Sequence, residues 1–421
     1  MSLNPWRGLQ DLPAEAWIIF ATTLVNRAGT MVLPFLVLYL TQDLGHPADQ
    51  AGFALTAYGF GGLVSAPLAG RLSDRVGALR IMQLSLLVSG ALLIVFPLAR
   101  SRTAVFSLIF LWALISEAVR PASLAALAGA TPPAQRKAAM ALNRLAINLG
   151  MSVGPAVGGF LATVSFFWLF AIDGATSMAA AALLTGLLWR KTTAAAADAI
   201  RHAGSGTGLS PSPTERAGSS PSPAGISTRA LRDRRMLAFM AAWFIVGVIF
   251  FQLDGAFPLY VVRDLGLSQV FFGLLFTLNT VLIIGLEVPI NLSTTHWPHR
   301  LTLPLGTLLL AAAFAALAFA ESRGTIALAV VVLTFGEMIV FPVAATYVSE
   351  LAPAERQGEY MGAYYIALSL AMIVGPWTGT LVLDRFGSRT LWLAVFGCGV
   401  AAAGMFRLVV KDKRQANRVI G

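Results

Sequence analysis

Twelve stretches of about twenty apolar residues follow one another along this chain, and that spacing restricts the fold more than any other feature. A helix needs about 20 residues to cross the hydrocarbon core of a bilayer. Backbone groups there have no water to bond, so spans of this length must be helical. The spans fall at 16–40, 51–70, 79–98, 104–128, 137–161 and 165–189, then at 236–262, 270–291, 300–320, 324–350, 356–383 and 389–410. The predicted fold is an all-α membrane protein of twelve transmembrane helices. Of the 421 residues, 57% are hydrophobic and 12% charged. A soluble domain carries about 25% charge, so the excess apolar surface requires lipid as its solvent. The first span is too long for the apolar region of a cleavable signal, about 7–15 residues.

Two groups of six spans flank a segment of different composition. Residues 191–235 hold two Ser-Pro-Ser-Pro repeats at 210–213 and 220–223, several glycines and many basic residues. They read as a flexible cytoplasmic linker. The expected organisation is a six-helix bundle over 1–190, the linker, and a second bundle over 236–421. The net charge of +10 follows from loop placement rather than from nucleic-acid binding, since no basic stripe alternates with aromatic residues. With both termini cytoplasmic, inside segments carry twenty Lys and Arg against six outside. This satisfies the positive-inside rule and predicts a multi-pass protein of the cell (inner) membrane. Cys398 is the single cysteine, so no internal disulfide forms, and it is expected as a small core residue.

The two groups are copies of each other. Leu38-Tyr39 with Asp43-Leu44-Gly45 recurs as Leu259-Tyr260 with Asp264-Leu265-Gly266, at an offset of 221. Pro121 and Pro342 share that offset, as do Gly154-Pro155 with Gly158 and Gly375-Pro376 with Gly379. Gln135-Arg136 and Glu355-Arg356 lie 220 apart. Parallel six-helix repeats are a transporter architecture, with the solute held between the halves near mid-membrane.

Two glycine-rich strings stand out. Gly70-Arg71-Leu72-Ser73-Asp74-Arg75-Val76-Gly77-Ala78-Leu79-Arg80 joins spans two and three. Its glycines permit a tight turn. Its arginines anchor an inside loop, and Asp74 among them can form a pair that acts as a latch. In span five, Gly150, Gly154 and Gly158 recur every fourth residue and line one face, with Pro155 between them. Such a face admits close helix packing, and the proline removes a backbone hydrogen bond. The face serves either plain packing or a hinge or seal between the halves.

These strings resemble the signature loop between helices two and three of the major facilitator superfamily, and the glycine-proline motif of helix five in its drug–proton antiporter branch. Arg120-Pro121-Ala122-Ser123 is similar to the helix-four arginine motif. The resemblance implies the twelve-helix major facilitator fold, alternating access and proton-driven export. Ala78 departs from the basic residue common in the first motif, and the second copy of that loop, Asn291 to Arg300, is degraded.

Ionisable residues inside a span cost about 2.5–3.5 kcal/mol each on insertion scales, so they are functional candidates. The first half has Arg27, Glu117, Arg120, Arg144 and Asp173. Glu117 and Arg120 share a helical face and can pair. Arg27 is placed to meet Glu117 or Asp173, and Arg144 to snorkel toward the interface. The second half has Asp254, Glu287 and Glu337, with no basic partner in those three spans. A desolvated carboxylate without a cation favours its neutral form, as a proton carrier requires. Glu117, Asp173, Asp254 and Glu337 are the candidates for proton coupling, and Glu287 ranks lower. Asn26, Arg27, Arg120, Tyr39, Tyr58, Trp112, Phe251, Tyr364 and Trp377 are the candidates for solute binding. The aromatic residues suit lipophilic compounds, including cations; the arginines suit an anionic or zwitterionic head group.

The leading expectation is a proton-coupled exporter of lipophilic or amphipathic small molecules. An uptake symporter for a metabolite, sugar or peptide, and a lipid or lysolipid transporter, are the alternatives. No nucleophile–base arrangement, metal-ligand cluster or phosphate loop is present, and His46, His202, His296 and His299 fall in expected loops. An enzyme, a metal and an organic cofactor are therefore not expected. The expected partners are a small solute, protons and the bilayer, with the protein acting as a monomer.

Overall fold

The computed structural model describes residues 12–204, 232–353 and 356–410. All regular structure among them is helical. Among the described residues, eleven helices are long and apolar enough to cross a membrane. They are α1 (Ala14–Asp43), α2 (Ala48–Val76), α3 (Ala78–Leu98), α4 (Arg102–Ala130), α5 (Arg136–Val164), α6 (Phe166–Gly204), α7 (Arg234–Asp264), α8 (Gln269–Thr294), α9 (His299–Leu317), α10 (Arg323–Leu351) and α11 (Gln357–Val409).

The last helix covers two of the expected spans. Its 53 residues would measure about 80 Å at roughly 1.5 Å per residue, against a core of about 30 Å. It is broken at Gly387, with φ 80° and ψ 167°, a conformation glycine adopts without a Cβ clash. One repeat earlier, α5 and α6 separate at the extended Ser165.

The repeat is visible in the backbone. A π-helical turn spans Tyr39–Asp43 and another spans Leu259–Asp264. Gly45 and Gly266 follow with φ of 69° and 63°, in the left-handed region that favours glycine.

α6 continues to Gly204, into the stretch read as linker. Ala194–Ala197 in this extension have the highest helix propensity of any residue type. His202 thus falls within α6, and His299 opens α9. The Ser-Pro repeats lie outside the described residues, as do Arg7 and the last basic residues of the chain.

The connections at 131–135 and 295–298 share one end of the bundle with Gly77, the end of α6 and the start of α7; this is called the linker end. The opposite, far end carries the turns at 44–47, 99–101 and 265–268. One hydrophobic core joins both halves at the far end, through Phe35, Tyr39, Phe170, Phe257 and Phe272. The first half has a separate core toward the linker end, built from Ala16, Ile19, Met82, Leu86, Ala122 and Leu142. Large apolar side chains such as Phe160, Trp168, Val288 and Leu408 are exposed on the outside, as a lipid-facing surface requires. Cys398 is also exposed rather than in the core, because a span's apolar run covers its lipid face as well.

Candidate functional site

Three helices lose their regularity at the middle of the bundle, and each does so four residues before a proline. A proline cannot donate to the carbonyl four residues back, and its ring crowds that carbonyl. Pro34 frees Thr30, and α1 breaks between Gly29 and Val32. Pro121 frees Glu117, and α4 is interrupted between Ser116 and Val119. Pro258 frees Asp254, and α7 passes through a short 3-10 turn at Phe251–Leu253 before resuming at Ala256.

These breaks border a cavity of about 420 Å³. Thr23, Asn26, Arg27, Thr30, Tyr58, Trp112, Glu117, Arg120, Asn143 and Asp173 line it from the first half, and Asp254 and Phe276 from the second. Glu117 is held twice: the Tyr58 hydroxyl donates to Oε1 at 2.7 Å, and Arg120 Nε lies 3.4 Å from Oε2. Asp173 Oδ2 accepts from the backbone N–H groups of Met31 and Val32, at 3.1 and 3.0 Å. These donors are exposed by the α1 break, so Asp173 acts as the cap of the resumed helix. The Asn26 amide donates to the Ser177 hydroxyl at 3.1 Å, and Thr23 donates to Asn143 Oδ1 at 3.1 Å. The side chains of Arg27 and Asp254 face the cavity with no hydrogen bond or ion pair to any described residue.

The other candidates lie elsewhere. Glu337 accepts from the Asn279 amide at 2.9 Å, which also donates to Thr334 at 3.0 Å. Tyr39 is buried among Phe96, Phe166 and Phe170 at the far end. Tyr364 stacks on Trp243 inside the second half, with centroids 5.1 Å apart. Phe251 packs edge-on against Phe250. Trp377 meets Phe53 across the halves.

The glycine face of α5 packs on α1 within its own half. A Cβ on Gly150 would lie 2.4 Å from Arg27 Cβ, and one on Gly154 would lie 2.7 Å from the Thr30 carbonyl. Gly158 faces Met31 and Phe35. The same motif also touches the other half, since a Cβ on Gly273 would lie 2.2 Å from the Pro155 carbonyl. The loop motif Gly70–Arg80 sits at the linker end. Gly77 caps α2 with φ 100°, and the Asp74 side chain makes no hydrogen bond or ion pair to a described residue. Arg75 and Arg80 are likewise exposed and without an ion pair among described residues.

The halves meet along α2–α11 and α5–α8. Thr56 donates to the Ile373 carbonyl at 2.7 Å, Thr277 to the Ser152 carbonyl at 2.7 Å, and Gln269 to Gln42 at 2.8 Å. Phe35 and Phe272 touch edge-on with centroids 5.2 Å apart. The Thr56, Gln269 and Phe35 contacts lie toward the far end. Nearer the linker end, Arg144 of α5 pairs with Glu287 of α8. Arg144 therefore does more than reach for the interface, and Glu287 finds its cation in the other half.

Asn143, Met151 and Phe276 also line the cavity, and Asn279 holds Glu337; uncharged residues in a span carry no signal of their own in the sequence. The proline signal was available for the three breaks, and the four-residue lag identifies Thr30, Glu117 and Asp254 together.

The fold, the two pseudo-equivalent halves and a charged cavity between them define a membrane transporter. The family model of the Major Facilitator Superfamily matches residues 18–376 and 253–420, and the chain belongs to that family. It is 24% identical over 415 residues to the uncharacterized MFS-type transporter YqjV of Bacillus subtilis (strain 168), covering 96% of this chain and 94% of the relative. It is 24% identical over 375 residues to a Na(+), Li(+), K(+)/H(+) antiporter of Planococcus maritimus, covering 84% and 85%. Among solved structures, the nucleoside transporter NupG superposes with a TM-score of 0.74 at 14% identity, covering 94% of this chain and 99% of that one.

Proposed function

We propose that this protein is a proton-coupled secondary transporter that exports small amphipathic solutes by alternating access. The observation that carries the reading is the cavity beside the three helix breaks, which holds Asp254, an acid of the second half without a hydrogen bond or ion pair to a described residue. In this reading α11 crosses twice, so twelve crossings form two six-helix bundles over 1–190 and 236–421. The linker 191–235 and both termini are cytoplasmic, the membrane is the cell's inner membrane, and the unit is a monomer. The linker end is then the cytoplasmic end. The shared far-end core and the separate linker-end core of the first half support a cavity opening inward.

Asp254 is the foremost proton carrier, since its carboxylate has no hydrogen bond or ion pair to a described residue. Glu337 is the second; among the described residues its hydrogen-bond donor is the neutral Asn279 amide. Glu117 is engaged by Arg120 and Tyr58, and Asp173 by the α1 cap, so each is a conformational element first. A carboxylate taken out of water favours its neutral form until a path to water opens, and alternating access supplies that path on one side at a time.

The similarity to a cation–proton antiporter and the helix-five motif support export. The polar first-half wall of Thr23, Asn26, Asn143 and Ser177 favours a second reading, uptake symport of a hydrophilic metabolite. Inverted membrane vesicles distinguish the two. Export predicts that acidifying the lumen drives dye accumulation and that a proton ionophore abolishes it. Undiminished transport with the ionophore present contradicts proton coupling.

A further inference from the structure

Five charged side chains line the cavity, and three of them are spoken for. Glu117 has Arg120 and Tyr58, and Asp173 has two backbone donors. Arg27 and Asp254 remain, one cation on the first half and one carboxylate on the second, both without a hydrogen bond or ion pair to a described residue. They sit on α1 and α7, the corresponding first helices of the two repeats, each beside its helix break. Withdrawing a charge from water without a partner is costly, and burying it is repaid only by a good ion pair. Two such charges of opposite sign in one cavity form a receptor for a molecule bearing both complements.

Resting on the transporter reading above, we propose that the solute is a zwitterion with an aromatic body. Its anionic group pairs with Arg27 and its ammonium with Asp254, while the body lies against Trp112, Tyr58 and Phe276. The guanidinium fork binds a carboxylate or phosphate through two parallel hydrogen bonds. The aromatic wall attracts the ring and the flank of the ammonium. The cavity of about 420 Å³ lies within the roughly 300–1,000 Å³ of small-molecule sites. A solute bound at both ends ties α1 to α7 and so draws the halves together around itself. A lipophilic cation uses Asp254 alone and leaves the Arg27 guanidinium without a hydrogen-bonded partner.

The test is binding to the purified full-length protein, by microscale calorimetry and thermal shift, of a panel of aromatic zwitterions. Each is paired with its amide, which keeps only the cation, and its N-acyl derivative, which keeps only the anion. Tetraphenylphosphonium serves as the lipophilic cation. The proposal expects each single-charge derivative to bind at least tenfold more weakly than its parent. It expects Arg27→Gln to erase the preference for the parent over the amide, and Asp254→Asn to erase the preference over the N-acyl form. Lysophosphatidylethanolamine, with the same two charges on one acyl chain, is measured alongside; tighter binding of the soluble panel supports the aromatic body, and tighter binding of the lysolipid overturns that part. The whole proposal is overturned when no zwitterion binds more tightly than its derivatives, or when tetraphenylphosphonium binds more tightly than every zwitterion. The panel on the unaltered protein decides without the variants. A proton-driven carrier that prefers monocations fails this test and still passes the vesicle test above.

Discussion

Asp173 Oδ2 lies 3.0 Å from the backbone nitrogen of Val32, just past the point where α1 breaks. The carboxylate sits near the far end of α6 and reaches across the first half to hold the restarted helix. Hydrogen bonds to a charged group contribute about 1.5–3 kcal/mol each. Asp173→Ala is expected to lower the melting temperature of the purified protein by several degrees and to reduce transport severely. Asp173→Asn keeps an acceptor oxygen in place and is expected to retain most of the stability and transport. Equal loss in both variants would show that the charge, not the cap, is what matters at this position.

Arg144 and Glu287 join the halves toward the linker end, with Glu287 the more buried partner. Removing Arg144 leaves the buried Glu287 carboxylate without its cation, the costlier of the two single losses. Each single substitution, Arg144→Gln or Glu287→Gln, is expected to slow transport several-fold. The exchange of the two residues is expected to recover much of the rate, with a coupling of about 1–3 kcal/mol in the double-mutant cycle. Additive losses would mean the pair has no part in the transport cycle.

The two glycine strings should answer differently to one added methyl group. At Gly150 the new Cβ lies 2.4 Å from Arg27 Cβ and 2.7 Å from the Ala28 nitrogen, so the α1 backbone itself must move. Overpacking of this kind costs about 1–3 kcal/mol. Gly150→Ala is expected to lower stability and displace Arg27. Gly70→Ala meets nothing within 4 Å and is expected to leave the fold unchanged, read by expression level and melting temperature.

Gln42 and Gln269 touch at the far end, 2.8 Å between side-chain amide groups. A cysteine pair, Gln42→Cys with Gln269→Cys, introduced with Cys398→Ser, is expected to cross-link under mild oxidation. If the far end must open in each cycle, cross-linking stops transport and reductant restores it. Full transport by the cross-linked protein would contradict opening at that end.

Much of this arrangement is legible in the chain. The repeat at 221 residues foretells the paired π-helical turns and the paired glycines 45 and 266, because both copies need the same left-handed turn. The pairing of Glu117 with Arg120 follows from their helical spacing. The cross-half pair of Arg144 and Glu287 does not, since periodicity orients a side chain on its own helix and is silent on which helix it meets. The same blindness moved Tyr39 and Tyr364 into the expected solute site, whereas each packs inside its own half. The expected spans 356–383 and 389–410 are separate in the sequence pattern, whereas in the fold they run on without a loop and only the non-helical Gly387 marks their junction. The cap at Asp173 depends on a break in α1 that Pro34 announces, but the donors it exposes are claimed from a helix more than 140 positions away in sequence.

The central claim is that a proton at Asp254 is exchanged for solute in the cavity. Proteoliposomes carrying the protein, loaded with a transported solute and a pH-sensitive dye, test it directly. The wild type is expected to move solute against its gradient when a pH gradient is imposed and to move protons in return. Asp254→Asn is expected to exchange solute down its gradient without moving protons. Gradient-driven accumulation undiminished in Asp254→Asn would contradict the account.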